Sequence, residues 1–293
     1  MQAIGYYIAL PFLYLIAVLP YWLFYGFSDL VFALLYYGIG YRKKVVMQNL
    51  RNSFPAKSEA ELKSISRRYY RYLCDLFLET FQTLARSRAF FLRRCTVDPL
   101  TQKLFEKYYE EKKSVIIVMG HFGNWEWAGN SFTLKCRHQL YVIYHPLENK
   151  YFNDLIVGMR TRFGTKLIPM KDTFREMVRN RKEINATAFI ADQTPSPDNA
   201  YWTRFLNQDT PVFRGTEMIA RKMNFPVVYV SVHRVKRGHY TILAETLFEE
   251  PSGTTDGEIS ESHTRKLEKE IIAQPEIWLW SHRRWKHKRK VQV

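Results

Sequence analysis

Ser114-Val-Ile-Ile-Val-Met-Gly-His-Phe-Gly-Asn-Trp-Glu126 is the stretch whose reading decides the architecture. Its opening residues form a short, continuous apolar run rich in β-branched side chains, the pattern of a strand buried on both faces. Gly120 and Gly123 then supply a turn, and Asn124 stands where a helix would be capped. A strand that gives way through such a turn to a helix is the repeating unit of α/β folds, which place reactive groups and anion-binding amides at that point.

Working outward, similar strand signals occur at 140–144, 186–191, 227–233 and 240–247. Helical stretches lie between them at 124–135, 151–163, 173–181 and 215–223, with a late helix at 257–272. This alternation predicts an α/β fold, a central mixed sheet flanked by helices. Upstream, 42–52, 58–86 and 99–112 read as helices, and Leu62, Ile65, Tyr69, Tyr72, Leu73 and Leu76 recur at spacings of three and four. Residues 41–112 are therefore a helical lead-in and 113–293 the α/β core with a basic tail, together one domain over 41–293.

Residues 1–40 form a separate hydrophobic, membrane-associated helical segment. Asp29 is the one charged side chain among the first 41 residues. Residues 4–27 would reach about 36 Å as a helix, enough for a hydrocarbon core of about 30 Å. Pro11 and Pro20 interrupt the run and its tyrosines give it an interfacial character, so lying in the membrane surface is the alternative to spanning it. Two buried core helices of a soluble protein would read similarly, although no polar face is present. The segment lacks the basic start and small-residue end of a cleaved signal peptide.

The formal net charge is +16, and its distribution is informative. Residues 42–94 hold 13 Lys/Arg against 4 Asp/Glu, and 281–293 hold 6 with no acid, whereas 95–280 nearly balance. Such a collar beside an apolar segment fits an anionic membrane surface better than a nucleic-acid groove, although folding could merge the two basic ends into either. Arg42-Lys43-Lys44 after the apolar segment directs the bulk of the protein to the cytoplasmic side. Cys74, Cys95 and Cys136 have neither the pairing expected of a disulfide framework nor metal-ligand spacing, so a reducing compartment and no metal are expected.

His121 and Glu126 are the candidate reactive pair. Eight His and 28 acids in 293 positions generate that spacing about once by chance, and His263 with Glu268 repeats it. The second pair lies in a charged helical stretch with no preceding strand and reads as solvated surface. A base on the turn and amides at the helix start, those of residues 123–125, would serve an activated alcohol and a developing oxyanion. No G-x-S-x-G or H-E-x-x-H supports a serine hydrolase or zinc peptidase.

His121-Phe-Gly-Asn-Trp-Glu126 resembles the H-x4-D/E block of the glycerolipid (lysophospholipid acyltransferase-like) superfamily, in the form used by the late acyltransferases of lipid A biosynthesis. The resemblance extends to Tyr144-His-Pro-Leu147, Arg160-Thr-Arg-Phe-Gly164, Ala191-Asp-Gln193, 205–215 and 275–286. It implies His121 as general base on an acceptor hydroxyl and Glu126 as the acid that orients the imidazolium. It further implies a substrate site drawing on Asn124, His145, Arg160, Asp192, Gln193 and Gly215. The implied donor is acyl carrier protein or acyl-coenzyme A, and the acceptor a membrane lipid, a lipid A precursor. No cofactor is implied, and the location is a bacterial inner membrane with the catalytic domain facing the cytoplasm. His145 stands where relatives usually carry Arg, with Arg160 or Arg162 as substitutes for that anion contact, and Asn207 stands where Gly is common.

The aromatic and basic tail, 278–290, reads as a solvated end, a helix packed on the core, an interfacial anchor or a dock for an acidic carrier protein. Residues 192–197 read as a loop. Two other functions share these features: acylation of a different phospholipid, glycolipid or aminolipid, and non-catalytic binding of anionic ligands at the membrane.

Overall fold

In the computed structural model, which describes residues 2–289, Pro20 separates two N-terminal helices, α1 (Gln2–Val18) and α2 (Tyr21–Ala33). Pro11 remains inside α1. α2 runs on through a π-helical stretch, Leu34–Ile39, that ends at Gly40 in the left-handed conformation. Among the described residues the helix long and apolar enough to cross a membrane is thus Tyr21–Ile39, not the 4–27 stretch that composition suggested. The break at Pro20 follows from chemistry, since a proline lacks the N–H that would continue the helix.

α3 (Lys43–Ser53) and α4 (Glu59–Gln82) complete the helical lead-in. Ser58 and Glu61 form a capping box at the start of α4, satisfying amides that have no intrahelical partner. The chain then passes through α5 (Arg88–Arg94), β1 (Cys95–Val97), α6 (Pro99–Glu110), β2 (Val115–Met119), α7 (Trp125–Lys135) and β3 (Gln139–Tyr144). It continues with α8 (Lys150–Thr161), β4 (Lys166–Pro169), α9 (Thr173–Arg179) and β5 (Asn185–Ile190). Next come a hairpin, β6 (Ala200–Phe205) and β7 (Gln208–Phe213), then α10 (Gly215–Met223), β8 (Val227–Lys236), β9 (His239–Phe248) and α11 (Glu258–Ala273).

Seven strands form one sheet in the order β1-β9-β8-β2-β5-β3-β4, parallel throughout except for the antiparallel pair β8 and β9. The fold is mixed α/β, as the alternation predicted. β2 lies centrally with all five residues buried, which accounts for its unbroken apolar sequence. The strands with strong signals were legible; β1, β4 and the β6–β7 hairpin were not. β1 and β4 are three and four residues long, too short for a period to show. The hairpin turns through Leu206 and Asn207, both at positive φ, and Asn tolerates that region better than most residues.

Candidate active site

Two neighbouring parallel strands deliver the key groups to one edge of the sheet. β2 and β5 pair with Met119 opposite Ile190, so the next residues of each, Gly120-His121 and Ala191-Asp192, emerge side by side. The Ala191 amide donates to the Met119 carbonyl at 2.9 Å and prolongs the register past the strand ends. His121 Nδ1 then donates to Asp192 Oδ1 at 2.6 Å, while the His121 amide donates to Asp192 Oδ2 at 2.8 Å.

Glycine is needed on both sides of His121. A Cβ at Gly120 would lie 2.7 Å from the Leu267 methyls and 3.3 Å from Asp192 Oδ2. Gly123 has φ +64°, and a Cβ there would come within 1.8 Å of the Val232 carbonyl oxygen. The Gly123 amide is occupied by the Ile277 carbonyl at 3.0 Å, and its carbonyl accepts from Tyr72 Oη at 2.7 Å. It is therefore not the oxyanion donor expected from the sequence.

Asn124 caps α7 as anticipated, accepting from the Trp127 amide at 2.9 Å. Its Nδ2 donates to buried Glu79 at 2.7 Å, so the side chain is spent on structure and faces no cavity. This corrects its assignment to substrate. Gly215 begins α10 at the surface and is not among the residues that line the cavity beside His121, against its assignment to substrate.

Glu126 sits in the first turn of α7, but its carboxylate does not meet His121. Arg160 of α8 clasps it in a two-point pair, Nε to Oε2 at 2.9 Å and Nη2 to Oε1 at 2.5 Å. The acid bonded to the imidazole is Asp192. Burial would raise the Asp192 carboxyl, but the His121 charge, the two His121 hydrogen bonds and the Trp278 indole at 2.8 Å outweigh it and hold it at about 2. Burial alone would lower the Arg160 guanidinium, and Glu126 reverses this so that it is raised. Arg162 Nη1 donates to the carbonyls of Thr83 and Arg86, and Arg162 is not among the residues lining the cavity beside His121.

A cavity of about 390 Å³ opens beside this cluster. His121, Glu126, His145, Arg160 and Gln193 are among its polar groups, and Ile117, Met119, Leu140, Val142, Ala188 and Val230 of the sheet, with Phe132 of α7, supply apolar wall. Its size and its few convergent polar groups are those of a small-molecule or lipid-chain site. Trp125 packs edge-on against the His121 ring with centroids 4.9 Å apart. Gln193 Nε2 lies 3.3 Å from His121 Nε2, and exposed His145 directs Nδ1 at its own neighbour, the Pro146 carbonyl.

One reading from the sequence is overturned here and another is borne out in part. His263 and Glu268 are not solvated: His263 is buried, and Glu268 accepts from the Leu206 amide and from Arg265. The tail packs on the core through its tryptophans, as one reading of the sequence had it, but not as a helix and not as an anchor through Trp278 and Trp280. Trp278, Trp280 and Arg284 are buried, and Trp278 reaches Asp192. Lys290, the end of that stretch, lies outside the described residues.

The bacterial lipid A biosynthesis acyltransferase family model matches residues 1–287. The chain is 24% identical over 252 residues to the lipid A biosynthesis palmitoleoyltransferase of Escherichia coli (strain K12), covering 84% of this chain and 79% of that protein. It is similar to the same extent to the lipid A biosynthesis acyltransferase of Shigella flexneri. A full-length family match, on a fold that sets a histidine against an apolar cavity, leads to one conclusion: the chain belongs to the bacterial lipid A biosynthesis acyltransferase family, whose members are acyl-transferring enzymes.

Proposed function

We propose that this acyltransferase moves a fatty acyl chain from an acyl thioester, on acyl carrier protein or coenzyme A, to a hydroxyl of a lipid A precursor. One observation carries the reading: His121, held through Nδ1 by ionised Asp192, lines a largely apolar cavity. With Nδ1 donating to Asp192, Nε2 is the basic nitrogen.

The acceptor hydroxyl attacks the thioester carbonyl and gives its proton to His121 Nε2 as the carbon–oxygen bond forms. The carbon–sulfur bond then breaks, and the imidazolium returns the proton to the departing thiolate. Asp192 orients the ring and stabilises the imidazolium, the role that the resemblance alone would give to Glu126. Glu126 instead holds Arg160 at the cavity, where Arg160 and Gln193 are donors for the developing oxyanion or an anionic substrate group. His145 borders the same space and contacts the acceptor. A base and an orienting acid suffice for this step, with no metal or cofactor.

Residues 1–40 act as the membrane segment and 41–293 as the acyltransferase domain. The basic Arg42-Lys43-Lys44 cluster supports an inner-membrane location with that domain in the cytoplasm, against an anionic membrane surface.

Purified variants test the assignment. His121→Ala should lower acyl transfer by about 100 to 10,000-fold with the fold retained, and Asp192→Asn should follow it closely. Wild-type turnover by His121→Ala would refute the catalytic reading and favour non-catalytic binding. Lipid mass spectrometry of a deletion strain identifies the acceptor as the species that loses one acyl chain.

A further inference from the structure

Behind Asp192, on the side away from the large cavity, lies a second and much smaller one of about 10 Å³. Its polar wall is Asp192, His263, Thr264, Tyr229 and Arg284. Arg284 comes from the tail and is 2% exposed. Its Nη2 donates to the Pro211 carbonyl at 2.6 Å, but Nε and Nη1 are buried without a partner among the described residues. His263 Nε2 is in the same position. Buried polar atoms are nearly always satisfied, so three of them on one small polar cavity point to a ligand the size of a water molecule.

One such water would pair two of these three atoms, one Arg284 N–H and His263 Nε2. An ionised carboxylate has about four acceptor sites, and Asp192 uses three, on the His121 ring, the His121 amide and the Trp278 indole. One remains. A water that accepts from Arg284 and donates to Asp192 and to His263 Nε2 has three partners, the usual number for a buried water.

We propose that Arg284 is a positioning residue for the reaction, acting with His263 through one buried water on the face of Asp192 opposite His121. This rests on the assignment of His121 as base. Arg284 supplies a counter-charge to Asp192 and so limits how strongly the carboxylate raises the proton affinity of His121.

The other groups around the pair leave this charge balance in place. His263 on α11 is pushed down to about 4 by burial, and His282 in the tail is also lowered by burial, under opposed influences of Asp192 on one side and Arg284, His121 and Lys286 on the other. Tyr72 on α4 and Tyr229 on β8 are raised well above the ordinary range by burial and stay neutral. Glu126 and Arg160 compensate one another in direct contact at the wall of the large cavity, which His145 also borders.

The test uses the full-length protein in detergent. The His121 ring titration is followed by NMR with labelled histidine and assigned by the signal missing from His121→Gln. Arg284→Gln should raise the His121 midpoint by about one pH unit and move the acidic limb of kcat/KM upward with it, whereas Arg284→Lys should leave both close to wild type. An unchanged midpoint in Arg284→Gln, or equal shifts in the two variants, would overturn the proposal. Should Arg284→Gln not fold, a wild-type crystal structure that places waters decides: one ordered water between Arg284, His263 and Asp192 is expected, and a cavity without one refutes the relay. Full activity of His121→Ala would instead refute the catalytic assignment and leave the titration result standing.

Discussion

His121 and His263 are the same residue type, each with a glutamate five positions on, and burial gives them different chemistry. His263 is enclosed on α11, and burial pushes it from the usual 6.5 to about 4; Asp192 opposes the shift and Arg284 adds to it. The unfolded chain takes up this proton near pH 6.5 and the folded chain only near 4. Stability from keeping His263 neutral is therefore complete above 6.5 and falls as the pH drops from 6.5 to 4, by about 3 kcal/mol in all. Urea unfolding at pH 7 and pH 4.5 should show this loss in the wild type and a much smaller one in His263→Gln, which has nothing to titrate there. Equal losses would mean that His263 protonates as readily in the folded state. Asp192 acts in a lower window, since its carboxyl is held at about 2 and its contribution persists until the pH falls below the ordinary carboxylate range.

At the scale of elements, α4 joins the N-terminal helices to the reactive turn. Asp75 and Glu79 lie one helical turn apart and are both fully buried. Asp75 accepts from Ser28 of α2 at 2.7 Å, from Arg234 of β8 at 3.0 Å and from Arg237 in the β8–β9 turn at 2.7 Å, and Arg237 reaches Asp29 as well. Glu79 accepts from Tyr25 of α2 at 2.6 Å, from Tyr240 of β9 at 2.7 Å and from Asn124, the cap of α7. Burial, and then Asp75, raise the Glu79 carboxyl. Asp75→Ala would leave Arg234 without its carboxylate and Arg237 with Asp29 alone, and should destabilise the fold by about 3 to 5 kcal/mol, seen as a lower denaturation midpoint. A change under about 1 kcal/mol would show that the arginines find water or other partners. The period of three and four marked α4 as a helix, but neither acid stood out, because an isolated Asp or Glu on an amphipathic helix has the sequence pattern of a solvent face. Their partners are up to 162 positions away.

Over the whole molecule, apolar side chains project from the N-terminal helices: Ile4, Tyr7, Ile8, Phe12 and Leu15 on α1, then Trp22, Leu30, Leu34, Tyr37 and Ile39. An apolar surface of this extent calls for a lipid or protein cover. α1 also packs on α8, with the Tyr6 ring 5.5 Å from those of Tyr151 and Phe152, and α8 carries Arg160 of the cavity. Removal of residues 1–40 should make the protein extractable from membranes by salt, whereas the full-length chain should require detergent. The truncated form should also melt lower, because Tyr25, Ser28 and Asp29 no longer serve Glu79, Asp75 and Arg237. Equal salt extraction of both forms would count against the anchor.

The sequence by itself determined the α/β class, the apolar N-terminus and the position of His121 as a residue to examine, while Asp192 and Arg160 came from the family resemblance alone. Each of the first three rests on local pattern: an unbroken β-branched run, a missing polar face, or a short block whose glycines meet steric limits set by the adjacent turn. The tertiary structure decided which acid meets His121. A parallel register brings Asp192, 71 positions on, against the imidazole, while Glu126, five positions away, turns to Arg160. It also decided the environment of His263, the burial of the tail and the partners of Asp75 and Glu79. In every such case the deciding contact is made between elements, so its energy depends on register and burial, which a linear spacing does not encode.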